Sequence, residues 1–107
     1  MPNNVIGSGS TTPGQNWQPT PGGQGIYIDV NTSQAQFNPA FGTPAYTISL
    51  GGQGTMWDSS GSSAVYNPTL TGFRVYLRDM DRSNPTVTVA QAQQHGFHIN
   101  WIGVQTF

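Results

Sequence analysis

The chain has no cysteine, no lysine and little charge of either sign. Without cysteine there is no disulfide framework and no thiol chemistry, and the redox compartment is left open. Only 7% of the 107 residues are charged, against roughly 25% in ordinary soluble domains. The three basic residues are Arg74, Arg78 and Arg82, and the net charge is -1. Phosphate neutralisation needs a basic stripe, so nucleic acid is not an expected partner. No apolar run approaches the roughly 20 residues of a membrane span, so membrane insertion is not expected either. The N-terminus lacks the basic and apolar regions of a signal peptide, which leaves export of a mature chain open.

Polarity comes instead from Ser, Thr, Asn and Gln, with 14 Gly and 8 Pro. Such a surface is neutral and rich in turns. It suits an uncharged polar ligand, and equally a protein that must only resist proteases and stay soluble. The length fits one small domain with a modest core, near the size at which oligomerisation helps stability.

Residues 1–24 are Gly, Pro, Ser, Thr, Asn and Gln around a single Trp17, and Thr12-Pro13-Gly14-Gln15 echoes Thr20-Pro21-Gly22-Gly23-Gln24. This composition reads as a linker or an irregular arm preceding a domain over 25–107. A large aromatic in so polar a segment docks on something, either the chain's own core or a neighbouring subunit.

Alternation of apolar and polar residues predicts strands at 26–30, 45–50, 64–66 and 72–78, and a closing strand through Gly96-Phe97-His98-Ile99-Asn100-Trp101-Ile102-Gly103-Val104-Gln105. Phe37 and Phe41, in the connection after the first strand, are expected to fold inward. In the closing strand Phe97, Ile99 and Trp101 point one way and close the core. His98, Asn100, Ile102 and Val104 point the other way, and the apolar half of that second face implies a cover, either a second sheet or another subunit. Thr88-Val89-Ala90-Gln91 matches a capping box and Gly96 stands where a left-handed stop belongs, so one short helix is predicted over about 89–95. Strands separated by Gly/Pro turns with a single short helix give an all-β sandwich.

Tyr66-Asn67-Pro68-Thr69-Leu70-Thr71-Gly72-Phe73 and Ile99-Asn100-Trp101-Ile102-Gly103 together resemble the C-terminal half of the H-type lectin fold. They are also similar to the C-terminal head domains of bacteriophage tail fibres. The resemblance covers residues 64–104 well and 26–105 loosely. It implies a six-stranded antiparallel β-sandwich assembled as a homotrimer, with sugars bound near subunit boundaries. The N-acetylgalactosamine site of snail-type members does not carry over. Its arginine falls on Ala64, its Trp-His pair on Met80 and Asp81, and the acidic residue ahead of its N-terminal Trp has no counterpart before Trp17.

Three constellations carry candidate chemistry. Asp79-Met80-Asp81-Arg82-Ser83-Asn84 reads as carboxylates gripping sugar hydroxyls, as a partial calcium loop lacking the glycine and distal glutamate, or as a charged turn that neutralises itself. Trp57-Asp58 places an aromatic beside a carboxylate in a Gly-rich loop, which suits the flat C–H face and hydroxyl rim of a sugar; alternatively Trp57 plugs the end of the sandwich. His95 and His98 stand three apart without further ligands, so no metal is assigned to them. With no cysteine nucleophile, Gly-x-Ser-x-Gly elbow or Walker loop, an enzyme is not expected, and neither is a cofactor.

The expectation is therefore a non-enzymatic, lectin-like homotrimer, extracellular or virion-associated, with glycans as partners. Trp57, Asp58, Arg78, Asp79 and Asp81 are the expected sugar-binding residues, and His98, Asn100, Ile102, Val104 and Trp17 the expected subunit interface. The alternative is a structural or receptor-binding head of a fibre or particle that binds no sugar by itself.

Overall fold

The computed structural model describes residues 4–80 and 85–106. Among these, seven strands and one helix form: β1 Asn4–Ser10, β2 Gln18–Pro19, β3 Gly25–Asn31, β4 Ala45–Gly51, β5 Ser59–Ser60, β6 Gly72–Asp79, α1 Val89–His95 and β7 His98–Thr106. They make two antiparallel sheets, a smaller one in the order β1-β7-β4 and a larger one in the order β2-β3-β6-β5. The fold is thus the expected all-β architecture of two sheets with one helix.

Register explains why the alternating residues find a common core. In the larger sheet Ile26 lies opposite Leu77, Ile28 opposite Val75 and Val30 opposite Phe73, so the apolar sides of β3 and β6 share one face. In the smaller sheet Ile48 pairs with Trp101 and Leu50 with Ile99. A one-residue slip of either pair would turn these side chains to water. The two inner faces close on one another, with Ile26, Ile28, Val75, Leu77, Phe97 and Ile99 almost fully buried. Tyr46 bridges the sheets, its ring 4.6 Å from Phe73 and 6.2 Å from Trp101. Its hydroxyl donates to Thr69 O at 2.7 Å and lies 2.8 Å from the buried Thr32 hydroxyl. Phe37 is buried, as expected, while Phe41 is half-buried.

The strand count departs from the expected six because residues assigned to an arm by composition pair with the sheets. β1 adds to β7 along its whole length, and its glycines are the reason. A Cβ at Gly9 would stand 3.0 Å from the Trp101 ring, and one at Gly7 would collide with Ala35. Opposite Gly7 lies Gly103, where a Cβ would come within 2.7 Å of Phe37. Residues that weaken an isolated strand are the ones that let aromatic rings come close to this one. The expected strand over 64–66 is reduced to a single bridge between Tyr66 and Arg74, with Ala64 N bonded to Gly61 O in a turn instead of to a strand.

Helix α1 follows its capping signals. The Thr88 hydroxyl accepts from Gln91 N at 3.1 Å, and Gly96 adopts φ 64° while its N–H bonds Ala92 O. The segment joining β1 to β2 is tied down beside it. Phe97 O accepts from Gly14 N at 2.8 Å and from the Trp17 ring N–H at 2.9 Å. Of the two docking places open to Trp17, the structure shows its own core. The ring is 3% exposed and packs edge-on against Phe97, so it is not available to a neighbouring subunit.

Candidate functional site

Three surfaces of the sandwich carry polar or aromatic chemistry. The first is the end of the larger sheet at β5 and β6. A 3-10 turn over Met56–Asp58 leads into β5, whose Ser59 and Ser60 pair with Asp79 and Arg78. Asp58 O accepts from Met80 N at 3.0 Å. Trp57, Asp58, Arg78 and Asp79, far apart in sequence, therefore converge. Trp57 does not plug the sandwich, because its side chain is 94% exposed; Met80, nearby, is 70% exposed.

The two carboxylates of this end have different environments. Asp58 is half-buried and its Oδ2 accepts from the Thr86 hydroxyl at 2.9 Å. Asp79 is buried and accepts the Val87 N–H at 2.9 Å. Expected as a sugar contact, Asp79 is instead turned inward, where it fastens the segment before α1 to the end of β6; a carboxylate holding a buried backbone donor is not offered to solvent. Asp81, with the rest of the partial calcium loop over 81–84, lies outside the described residues.

The turn that presents Trp57 is strained. Thr55 sits in the left-handed region with φ 55° and ψ -6°, uncommon for a β-branched residue, and its hydroxyl is buried without a hydrogen-bond partner. Strain of about 1–3 kcal/mol persists only where the surroundings impose it.

The second surface is the outer face of the larger sheet. Register sets Asp29 opposite Arg74 and Tyr27 opposite Tyr76. Asp29 accepts two bonds from the Arg74 guanidinium, at 2.6 and 2.9 Å. The guanidinium lies 4.3 Å from the centre of the Tyr27 ring and donates to the Tyr76 hydroxyl at 3.2 Å. Tyr66 stands edge-on to Tyr76 at 4.9 Å. The hydrogen bond from Arg74 holds the Asp29 carboxyl below its ordinary range against a small opposing effect of burial, and Asp29 raises the Arg74 guanidinium in turn. Outward alternation of Tyr27, Asp29, Arg74 and Tyr76 was the available signal, but the register that pairs them was not.

The third surface is the outer face of the smaller sheet. Its central row is His98, Asn100, Ile102 and Val104 of β7, flanked by Ile6, Ser8 and Ser10 of β1 and by Ala45, Thr47 and Ser49 of β4. The face divides as the sequence suggests. At one end Ser10 donates to Asn100 Oδ1 at 2.6 Å, and Asn100 Nδ2 reaches Ser49 Oγ at 3.5 Å. At the other end Ile6 is 61% and Ile102 42% exposed.

His98 Nδ1 lies 2.9 Å from Gly96 O, and His95 Nδ1 lies 3.2 Å from Gln53 O. Among the described residues no three His or Asp side chains gather in a group able to hold a metal ion, and no helix is long and apolar enough to cross a membrane. Comparison with protein-family models, with curated proteins and with solved structures gave no match.

Proposed function

We propose that the chain is a non-enzymatic, lectin-like carbohydrate-binding module of H-type-lectin-like fold that acts as a homotrimer. Its ligands are neutral sugars, held at the end of the larger sheet by Trp57, Asp58 and Arg78. The observation that carries the reading is the exposure of Trp57. A Trp side chain carries about 150–250 Å² of surface, so leaving it in water forgoes on the order of 4–6 kcal/mol of burial at ~25 cal/mol per Å². Here that ring is held out by a strained turn, in a segment that backbone pairing joins to the strand end carrying Arg78. An aromatic face offers a stacking surface to sugar C–H groups, and the charged neighbours offer strong hydrogen bonds to hydroxyls. The low charge of the chain as a whole, 7% of its residues, favours a neutral ligand over an ionic one.

Assembly is supported by the outer face of the smaller sheet, where Ile6, Ile102 and Val104 share adjoining rows beside a ladder of neutral polar groups. Neighbouring copies meeting on this face would bury the apolar rows and leave no charge unpaired among its described residues. The same face also favours a second reading, a structural or receptor-binding head displayed on a fibre or particle, in which assembly is the whole function.

A glycan array separates the two. The lectin reading expects specific neutral glycans to bind and Trp57→Ala to lose at least about tenfold in affinity, equivalent to ~1.4 kcal/mol. A blank array from a stable trimer would leave the head reading. A monomer at micromolar concentration by mass photometry would contradict the assembly common to both.

A further inference from the structure

Resting on the carbohydrate-binding reading above, we propose that the ligand is an oligosaccharide chain, and that its second unit lies in a cleft crossing the outer side of β6 next to Trp57. The cleft has a volume of about 400 Å³, within the range of small-molecule sites. Its floor is β6, with Tyr76 and Arg78. One wall is the turn between β2 and β3, with Thr20 and Gln24, and the other is β5 and the segment after it, with Ser60 and Tyr66.

Its chemistry suits a neutral sugar. Tyr66 and Tyr76 meet edge to face at 4.9 Å, and Tyr76 is backed in turn by Tyr27 at 5.7 Å. Tyr66 remains 45% exposed. The rim supplies hydroxyls from Thr20 and Ser60, a carboxamide from Gln24 and the guanidinium of Arg78, which is exposed and forms no ion pair among the described residues. Donors and acceptors of both kinds around an aromatic wall suit alternating hydroxyls. One cation alone makes a weak anion site.

The proximity of Trp57 turns a single site into a chain site. Trp57 is three residues before Ser60, and at ~3.5 Å per extended residue their Cα atoms are within about 10 Å. Trp57 is not part of the cleft lining, so its exposed ring and the half-exposed Tyr66 ring are two separate stacking surfaces. They fit successive units of one chain.

The test is calorimetric titration of the full chain with cello-, malto-, chito- and galacto-oligosaccharides of one to six units, for wild type, Trp57→Ala and Tyr66→Ala. The proposal expects affinity for one series to rise at least about tenfold between one unit and three. It also expects Tyr66→Ala to abolish that rise, so that three units bind the variant no more tightly than one. Circular dichroism and the unfolding midpoint of Tyr66→Ala, matching those of wild type, would separate loss of contact from loss of fold. Binding that depends on Trp57 but is independent of chain length, or a length effect that survives in Tyr66→Ala, overturns the proposal and leaves the lectin reading standing. No binding in any series overturns both.

Discussion

Replacing Trp17 by alanine is expected to cost about 4 kcal/mol of stability. Removal of a buried Trp side chain costs about 3–5 kcal/mol through lost transfer free energy and the cavity left behind. The ring is 3% exposed and packs on Phe97, at the junction of the chain's first segment, the helix and the closing strand. The lost bond from its ring N–H to Phe97 O adds roughly 1 kcal/mol at most. No orphaned acceptor results, because Phe97 O keeps its bond from Gly14 N, which holds the total near the middle of the range. A small domain has about 5–15 kcal/mol in all, so the loss is a large fraction. Urea unfolding followed by circular dichroism measures it. With a slope of about 1–3 kcal/mol per M, the midpoint should fall by about 2 M. A shift under ~0.5 M would refute the claim that Trp17 belongs to the core of its own chain.

Two further changes test particular contacts. Asp29 has a carboxyl held below its unfolded value of about 3.9 by Arg74, so its stabilising contribution is complete above that value and is lost as pH falls through the lower folded one. Asp29→Asn should therefore flatten the acid limb of stability below about pH 4; the Asp29 side chain is exposed, so solvent screening keeps the difference small, and unchanged acid limbs would count against it. Thr55→Gly removes a β-branched residue from the left-handed region and an unpartnered buried hydroxyl. It should raise the thermal midpoint, by about 1 kcal/mol in stability, and a lowered midpoint would show that Thr55 makes a contact worth more than its strain.

How far the sequence carried depended on whether the deciding physics was local. The helix was legible to the residue, because Thr88 and Gly96 act within one turn of the chain. Strands β3, β4, β6 and β7 were legible through alternation, with bounds within a residue or two. β1 was hidden because its pairing rests on Gly7 and Gly9 meeting rings from Phe37 and Trp101, contacts that composition does not encode. The segment 64–66 has strand-forming residues but only one bridge, since nothing pairs with its remainder.

The candidate site divides in the same way. Trp57, Asp58 and Arg78 were named from residue type and then found at one end of one sheet. Asp79 follows the strand's alternation inward, and that phase was in the sequence: it is two residues beyond Leu77 on the buried side of β6. The Tyr27, Arg74 and Tyr76 cluster needed the register of β3 against β6, which no single strand contains.

The most direct test of sugar binding uses the three tryptophans themselves. Trp17 and Trp101 are buried at 3% and 4% exposure, whereas Trp57 stands almost wholly in water, so acrylamide quenching of tryptophan fluorescence reports on Trp57. Measured across a panel of neutral oligosaccharides, quenching should fall for at least one of them in wild type and stay constant in Trp57→Ala. Quenching that no saccharide changes would contradict the assignment of this ring to carbohydrate recognition.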